Sequence, residues 1–375
     1  MSSSRLRRVP PLAVAAWVVA VGVIVGLGFL VAHYLGAGSD MHGMAMGSAD
    51  ALTRGDTRSP LVPLFGSALV TAWQLDAVAV AVLVVLGALY LTGVALVSAR
   101  GGERWPLRRT ACFFAGLAVC AFATNGSIAV YDQVLFTAHM AGHLALVMVA
   151  PALLMFGRPL GLLVAASREP RRARILAVLR GRVVSVLSAP PVALATYAAV
   201  IVVSHLTGLM DTIMRNAWAG QLEHLVYLLV GCQFFALIVG DEPLRWRLAS
   251  PARWLLLAIA MAVDTFVGIV LLQGTHAVSL VPSALHVDAL SDTRTGGAIM
   301  WFGGDAIMAA IMIGLVLGWL RNVETAPAET GWLEQARSAT FAAHTGTDER
   351  IDAPLDEDDS ARLAYNEWLA RLDRR

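Results

Sequence analysis

Eight runs of apolar residues, separated by short polar stretches, dominate the sequence. Each run is close to the roughly 20 residues that a helix needs to cross a bilayer. The pattern therefore predicts membrane-spanning helices near 12–32, 75–98, 110–128, 135–156, 190–206, 221–239, 254–273 and 298–320. The first run is longer than the apolar part of a signal peptide, which favours an uncleaved helix.

Positive charge alternates between the loops that join these runs. Arginine is concentrated in 99–109, 157–189 and 240–253, whereas 129–134, 207–220 and 274–297 hold only Arg215 and Arg294. Because positively charged loops stay in the cytoplasm, this alternation predicts that the N-terminus and the C-terminus are both cytoplasmic.

Composition agrees with this architecture. Of the 375 residues, 57% are hydrophobic and only 15% are charged, which is typical of a polytopic membrane protein and not of a soluble domain. We therefore expect an all-α, polytopic transmembrane helix bundle of about eight helices in the plasma (inner) membrane of a bacterium. The three cysteines have no CxxC spacing, so neither a disulfide framework nor a thiolate metal site is indicated. Without a nucleophile–base pair or a phosphate loop, we expect no enzymatic turnover and no nucleic-acid partner.

The same patterns divide the chain into four expected parts. They are an N-terminal transmembrane helix (1–38), an extracytoplasmic segment containing Met and His (39–73), a seven-helix membrane domain (74–320) and a charged cytoplasmic tail (321–375). A solvated, partly disordered tail is one interpretation of the last part, and partner binding is the other.

Histidines are concentrated on the predicted outer side. Eight of the nine lie in outer segments or at the outer ends of helices, among them His205 and His224. His139 and His143 are four residues apart, so both imidazoles lie on one face of a helix. Such a pair can ligate a metal, supply axial haem ligands, or form hydrogen bonds to backbone or lipid headgroups.

The outer segment adds a second group of candidate ligands. Met41, His42, Met44 and Met46 lie within six consecutive positions, and thioethers with an imidazole suit Cu(I) far better than Mg or Ca. The alternative is a flexible linker that happens to contain methionines.

Four further residues are functional candidates. They are Met140, Glu223, Asp264 and Asp305. Glu223 faces away from His224 on an ideal helix, so only one of the two can point at a shared site. Asp264 lies near the middle of a predicted span, where a carboxylate either has a function or accepts a hydrogen bond from a neighbouring helix.

Many of these residues belong to motifs that occur in a recognisable order. The motifs are Trp73 with Asp76, Tyr90-Leu91-Thr92-Gly93, Arg104-Trp105-Pro106, Phe114-Ala115-Gly116-Leu117, Tyr131, His139-Met140-Ala141-Gly142-His143, Ala150 to Pro159, His205, Glu223-His224, Gly231-Cys232-Gln233-Phe234-Phe235 and Gly303-Gly304-Asp305. Over roughly residues 70–320 this series resembles the CtaG family of caa-type cytochrome c oxidase assembly factors.

The chain departs from the family pattern at two places. The family usually has two prolines at a helix kink, where this chain has Pro151 followed by Ala152. Pro151 removes one backbone hydrogen bond, so we expect it to kink the helix. The first helix and its Met/His segment look like an addition to the usual seven helices.

The resemblance implies a role in maturing the oxidase by delivering copper to its catalytic subunit. The expected partners are that subunit and the lipid bilayer, and a homo-oligomer is compatible with this role. We expect the Met/His segment to capture Cu(I), and His139 and His143, with His205 or His224, to hold it at the outer face. Two alternatives are a haem-binding electron-transfer protein and a proton or metal transporter that uses Asp264.

Overall fold

The computed structural model describes residue 64 and residues 68–100, 104–279 and 281–325. These residues form helices and loops, with no strand among them. The seven long helices are α1 (Ala77–Ser98), α2 (Leu107–Asn125), α3 (Phe136–Leu144, Ala145–Val149 and Ala150–Phe156), α4 (Pro190–Leu206), α5 (Ala217–Val239), α6 (Ser250–Leu272) and α7 (Ala289–Ala298, Ile299–Gly303 and Gly304–Thr325). Shorter helical segments are Ala68–Thr71, Ser127–Tyr131, Pro159–Ala166, Arg171–Leu179, Arg182–Leu187, Leu209–Arg215 and Ser283–Leu285.

The helices confirm the predicted all-α membrane bundle. In the described part of the chain, six helices are long and apolar enough to cross a membrane, and α4 is a shorter apolar helix of 17 residues. The predicted first helix, 12–32, lies outside the described residues. All contacts considered below belong to the compact unit that ends at Ile313, and the chain from Gly314 onward forms a second unit.

One predicted boundary is wrong by about two and a half turns. The last helix, α7, begins at Ala289 and not near residue 298. Its N-cap is Asp288, whose carboxylate accepts a hydrogen bond from the backbone N–H of Ser291 at 2.8 Å, which satisfies an N–H group that the helix itself leaves unpaired. Polar residues at the start of α7 hide this helix from a pattern based on hydropathy.

The bundle is organised around α3. In an 18-residue apolar stretch of Phe136–Ala166, 72% of the residues are buried, against 17% in a stretch of the same length in α1. Its turns pack against α2, α5 and α7. Since α3 carries His139 and His143 near its start, both imidazoles lie inside the bundle and not on its surface.

Two π-helical turns lie in this buried region. The first, Ala145–Val149, directly precedes the part of α3 that contains Pro151, and the second is Ile299–Gly303 in α7. A Cβ at Gly303 would lie 2.8 Å from Leu144 Cδ1, so the absence of a side chain lets the second π turn approach α3 closely. The irregularity expected around Pro151 therefore includes a π turn, a feature often found beside functional sites.

A second glycine sets the distance between α3 and α5. A Cβ on Gly231 would meet the carbonyl oxygen of Val147 and lie 2.5 Å from Pro151 Cγ. Val147 is four residues before Pro151, whose nitrogen carries no hydrogen, so this carbonyl lacks its usual intrahelical donor. The bare backbone of Gly231 therefore fits against the place where α3 is irregular, as small residues do at membrane helix contacts.

We expect Gly231→Ala to destabilise the protein by about 1–3 kcal/mol, the usual effect of overpacking. The matched control is Gly220→Ala on the same helix, where the new Cβ would lie 3.4 Å from Gln133 Nε2, an ordinary contact. That control should be neutral or gain slightly from the higher helix propensity of alanine. Thermal unfolding of both variants in detergent measures the difference, and equal midpoints would contradict the proposed fit.

Candidate metal centre

The position of His139 is set first by how α3 begins. The N–H groups at the start of a helix have no partner within it. Here the carboxylate of Asp292, from α7, accepts hydrogen bonds from the backbone N–H of Phe136 at 2.6 Å and of Thr137 at 3.2 Å. The Ser279 hydroxyl donates to the same carboxylate at 3.1 Å. The turn that carries His139 is therefore anchored to α7.

Three side chains meet in the buried space below this turn. His139 and His143 come from α3, Glu223 comes from α5, and one ligand atom of each lies within 4.8 Å of those of the other two. Glu223 Oε2 lies 3.5 Å from His139 Nε2 and 3.3 Å from His143 Nε2. The exposed fractions of the three residues are 1%, 3% and 7%, so water hardly reaches them.

The hydrogen bonds of His205 determine which nitrogen of His143 carries a proton. His205 Nδ1 lies 2.8 Å from the carbonyl oxygen of Ile201, and since a carbonyl can only accept, Nδ1 must donate. A neutral His205 then has a bare Nε2, which accepts from His143 Nδ1 at 3.0 Å. His143 in turn has its bare Nε2 directed at Glu223.

A carboxylate fixes His139 in the same way. His139 Nδ1 donates to Asp132 Oδ1 at 2.8 Å, which leaves Nε2 of a neutral ring without a proton. Burial alone would raise the pKa of Asp132, but the imidazoles of His139 and His224 lower it strongly, so the carboxyl is ionised. A carboxylate behind the distal ring nitrogen is the usual arrangement for a histidine that ligates a metal.

When both rings are neutral, three acceptors with no donor among them therefore face one another. His139 Nε2, His143 Nε2 and both oxygens of Glu223 have no hydrogen-bond partner in the described residues. Unpaired buried polar atoms are uncommon in folded proteins. A proton between Glu223 and one imidazole satisfies only that pair, whereas a cation bound by all three satisfies the whole group. Within the described residues, His139, His143 and Glu223 form the candidate metal centre.

The sequence-predicted residues divide into four groups by their position relative to this centre. His139, His143 and Glu223 form it, and His205 and His224 lie behind it. His205 bonds to His143, and His224 lies beside Asp132, which orients His139. Glu223 and His224 point to different partners, as their spacing on a helix requires. Met41, His42, Met44 and Met46 lie outside the described residues.

The remaining candidates lie apart from the centre. Met140 is fully buried and packs against Gly296 of α7. Asp264 accepts a hydrogen bond from the Tyr197 hydroxyl at 2.9 Å, and its other oxygen has no partner in the described residues. Asp305 accepts from the Thr265 hydroxyl at 2.9 Å. The neighbouring-helix hydrogen bond predicted as one alternative for Asp264 is therefore present.

Sequence reasoning missed three residues that support the centre. Asp132 was not among the predicted site residues, although it lies two turns before His139. Tyr227 follows Glu223 by four residues and therefore shares its face, and its ring centroid lies 4.3 Å from that of His143. Its hydroxyl contacts that of Ser204, which also lies 2.8 Å from His205 Nδ1. The sequence could have indicated Tyr227 through its helical spacing from Glu223. It could have indicated Ser204 because this residue directly precedes His205.

Comparison with known proteins connects the chain with a family. The family model described as cytochrome c oxidase caa3 assembly factor (Caa3_CtaG) matches residues 88–322. An uncharacterized protein of Mycobacterium leprae is 29% identical over 266 residues, covering 67% of this chain and 40% of that protein. Uncharacterized proteins of Mycobacterium bovis and Mycobacterium tuberculosis are each 30% identical over 264 residues, with the same coverage. The chain thus spans about 40% of the length of these relatives. No solved structure matches the chain.

Proposed function

The chain belongs to the cytochrome c oxidase caa3 assembly factor family, and we propose that it binds copper at His139, His143 and Glu223 and delivers it to the oxidase. One observation carries the metal part of this proposal: three buried ligand-type side chains converge on one point, and the hydrogen bonds made by both Nδ1 atoms leave both Nε2 atoms directed at Glu223. The family membership carries the oxidase part.

The donor set fits copper in a particular form. Two imidazoles suit copper, zinc, iron and nickel, and among divalent first-row ions copper binds such sites most tightly. The Glu223 carboxylate is a harder donor than the thioethers predicted to bind Cu(I), so this centre favours Cu(II). The sequence predicted Cu(I) at both the Met/His segment and the histidines of α3. For the histidines we propose Cu(II) instead, and Cu(I) at the segment stays a prediction. Copper is the cargo here, because the family is described as assembling the oxidase and not as catalysing a reaction.

The centre's location fits delivery outside the cytoplasm. Along the chain, His139 opens α3, His205 closes α4 and Glu223 lies near the start of α5, so all three are at one end of the bundle. The arginine-rich loops lie at the other ends of the same helices. Under the positive-inside rule, the metal centre then faces the outer side of the bacterial plasma membrane and both termini are cytoplasmic, with residues 1–38 forming an eighth helix.

Two other functions predicted from the sequence have different structural support. The haem alternative has little structural support. The rings of His139 and His143 lie side by side with centroids 4.1 Å apart, so a small ion fits between them but a porphyrin does not. Transport has one specific observation in its favour. Asp264, fully buried within α6, keeps one oxygen unpaired in the described residues, and carboxylates inside membranes often mark ion pathways.

The proposed function is tested by removing both imidazoles of α3. Purified protein loaded with Cu(II) is expected to hold a copper ion that the double variant His139→Ala, His143→Ala lacks. Cells that carry the variant should lose oxidase activity in parallel. The control is His276→Ala with His286→Ala, which changes two exposed histidines elsewhere.

Two results would overturn the proposal. One is normal oxidase assembly in cells whose double variant accumulates normally but binds no copper. The other is copper uptake into sealed vesicles that is lost in Asp264→Asn, which would establish transport instead.

A further inference from the structure

A second pair of ligand-type side chains lies on the far side of the His139 ring from Glu223. Asp132 Oδ1 accepts from His139 Nδ1, while Oδ2 lies 3.6 Å from His224 Nε2. That distance is too long for a hydrogen bond. Both nitrogens of His224 have no hydrogen-bond partner in the described residues, although its side chain is only 10% exposed.

A cation would satisfy this pair better than the present contacts do. An imidazole that is nine-tenths buried with two unpaired nitrogens is destabilising, and so is a carboxylate oxygen directed at it without a bond. An imidazole nitrogen and a carboxylate oxygen that face each other are two ligands for a divalent transition-metal ion. Two protein ligands leave the other coordination positions open to water or to ligands from another protein.

The pair is also more accessible than the main centre. The side chain of His224 is 10% exposed, against 1% for His139, 4% for His143 and 5% for Glu223. An ion that approaches from this side meets His224 first. Asp132 then connects the two positions, because the same carboxylate holds His139 in the tautomer that binds metal.

We propose that Asp132 and His224 form a transfer position for copper, through which Cu(II) reaches and leaves the centre made by His139, His143 and Glu223. This proposal rests on the proposed function and adds the route to it. The ion stays Cu(II) throughout and only exchanges ligands. The two positions are occupied one at a time, because two divalent ions that share one region of low dielectric constant repel each other. The incomplete ligand set is what lets an acceptor protein supply ligands and withdraw the ion.

The test separates rate from affinity. Purified full-length protein is mixed with Cu(II) ions in a stopped-flow instrument, and loaded protein is mixed with a chelator. Electron paramagnetic resonance of the loaded protein reports the nitrogen ligands of the main centre. His224→Gln should slow both loading and removal by about tenfold or more, with unchanged stoichiometry and an unchanged spectrum. His276→Gln, at an exposed position, should behave as wild type.

A second variant distinguishes a residue that transfers the ion from one that orients a ligand of the main centre. Asp132→Asn should slow exchange and also weaken equilibrium binding by about 10- to 100-fold, because it also removes the charge behind His139. If His224→Gln exchanges copper at the wild-type rate, or lowers affinity as much as Asp132→Asn does, the transfer position is disproved while the main centre stands. If wild-type protein binds no Cu(II) at all, the proposed function itself fails.

Discussion

Replacing Glu223 by glutamine should weaken copper binding by about 100-fold or more and at the same time make the metal-free protein more stable. Glutamine has nearly the same shape, but it removes the negative charge and introduces an N–H₂ donor. That donor can bond to the bare Nε2 of His139 or His143, which now faces only the carboxylate oxygens. A buried acceptor left unpaired costs about 1–3 kcal/mol, and the metal-free variant should gain stability of that order.

The opposite signs make this prediction specific. A residue with a purely structural role would lower stability and affinity together, whereas a ligand held ready for a metal lowers stability until the metal arrives. Titration with Cu(II) and thermal unfolding with and without copper measure both effects. Copper should raise the unfolding temperature of the wild type, since a ligand that binds only the folded state stabilises it, and should hardly affect the variant.

Glu242 supplies the matched control. It is also a buried glutamate, but it lies beyond the other end of α5, where it accepts hydrogen bonds from the backbone N–H groups of Leu160 and Gly161 at 3.2 and 2.7 Å. Burial raises its pKa to about 7, against the lowering effect of these N–H groups. Glu242→Gln should leave copper binding unchanged. Equal copper affinity in Glu223→Gln and wild type would contradict the assignment of Glu223 as a ligand.

The sequence predicted the helices well because the apolar residues that mark a membrane-spanning helix are consecutive in the chain. The run predicted at 190–206 has the same bounds as α4, and 75–98 differs from α1 by two residues. The start of α7 was missed because it depends on a cap at Asp288 and on burial of polar residues such as Asp292 and Thr293 against other helices. No property of that segment alone shows that its polar groups find partners elsewhere.

The candidate centre was predictable only where its members share a helix. The spacing of His139 and His143 places them on one face, and the spacing of Glu223 and His224 separates them. The contacts that assemble the centre join distant parts of the chain: His143 bonds His205 across 62 positions, and Asp292 caps the start of α3 across 156. Such pairs depend on which helices pack together, which periodicity within a single run does not specify.

The second large loss of copper affinity is expected from substitution of His205, a residue that does not contact the metal. His205 does not face the centre, yet its bare Nε2 is what makes His143 donate from Nδ1. His205→Phe keeps a ring of similar size beside His143, whose centroid lies 5.0 Å from that of His205, but removes the acceptor. His143 is then free to carry its proton on Nε2 and donate to Glu223, which fills the position that copper needs.

Copper affinity in His205→Phe should therefore fall by about 10- to 100-fold, the usual effect of removing a partner of a metal ligand. The matched variant is His205→Gln, whose side-chain carbonyl oxygen can accept from His143 Nδ1 and should restore most of the affinity. Nitrogen NMR of labelled histidine in the metal-free protein reads the tautomer of His143 directly, and it should change in the Phe variant but not in the Gln variant. If both variants bind copper equally, the orientation of His143 depends on packing against Tyr227 and not on the hydrogen bond, and the argument that its Nε2 is held ready for a metal is wrong.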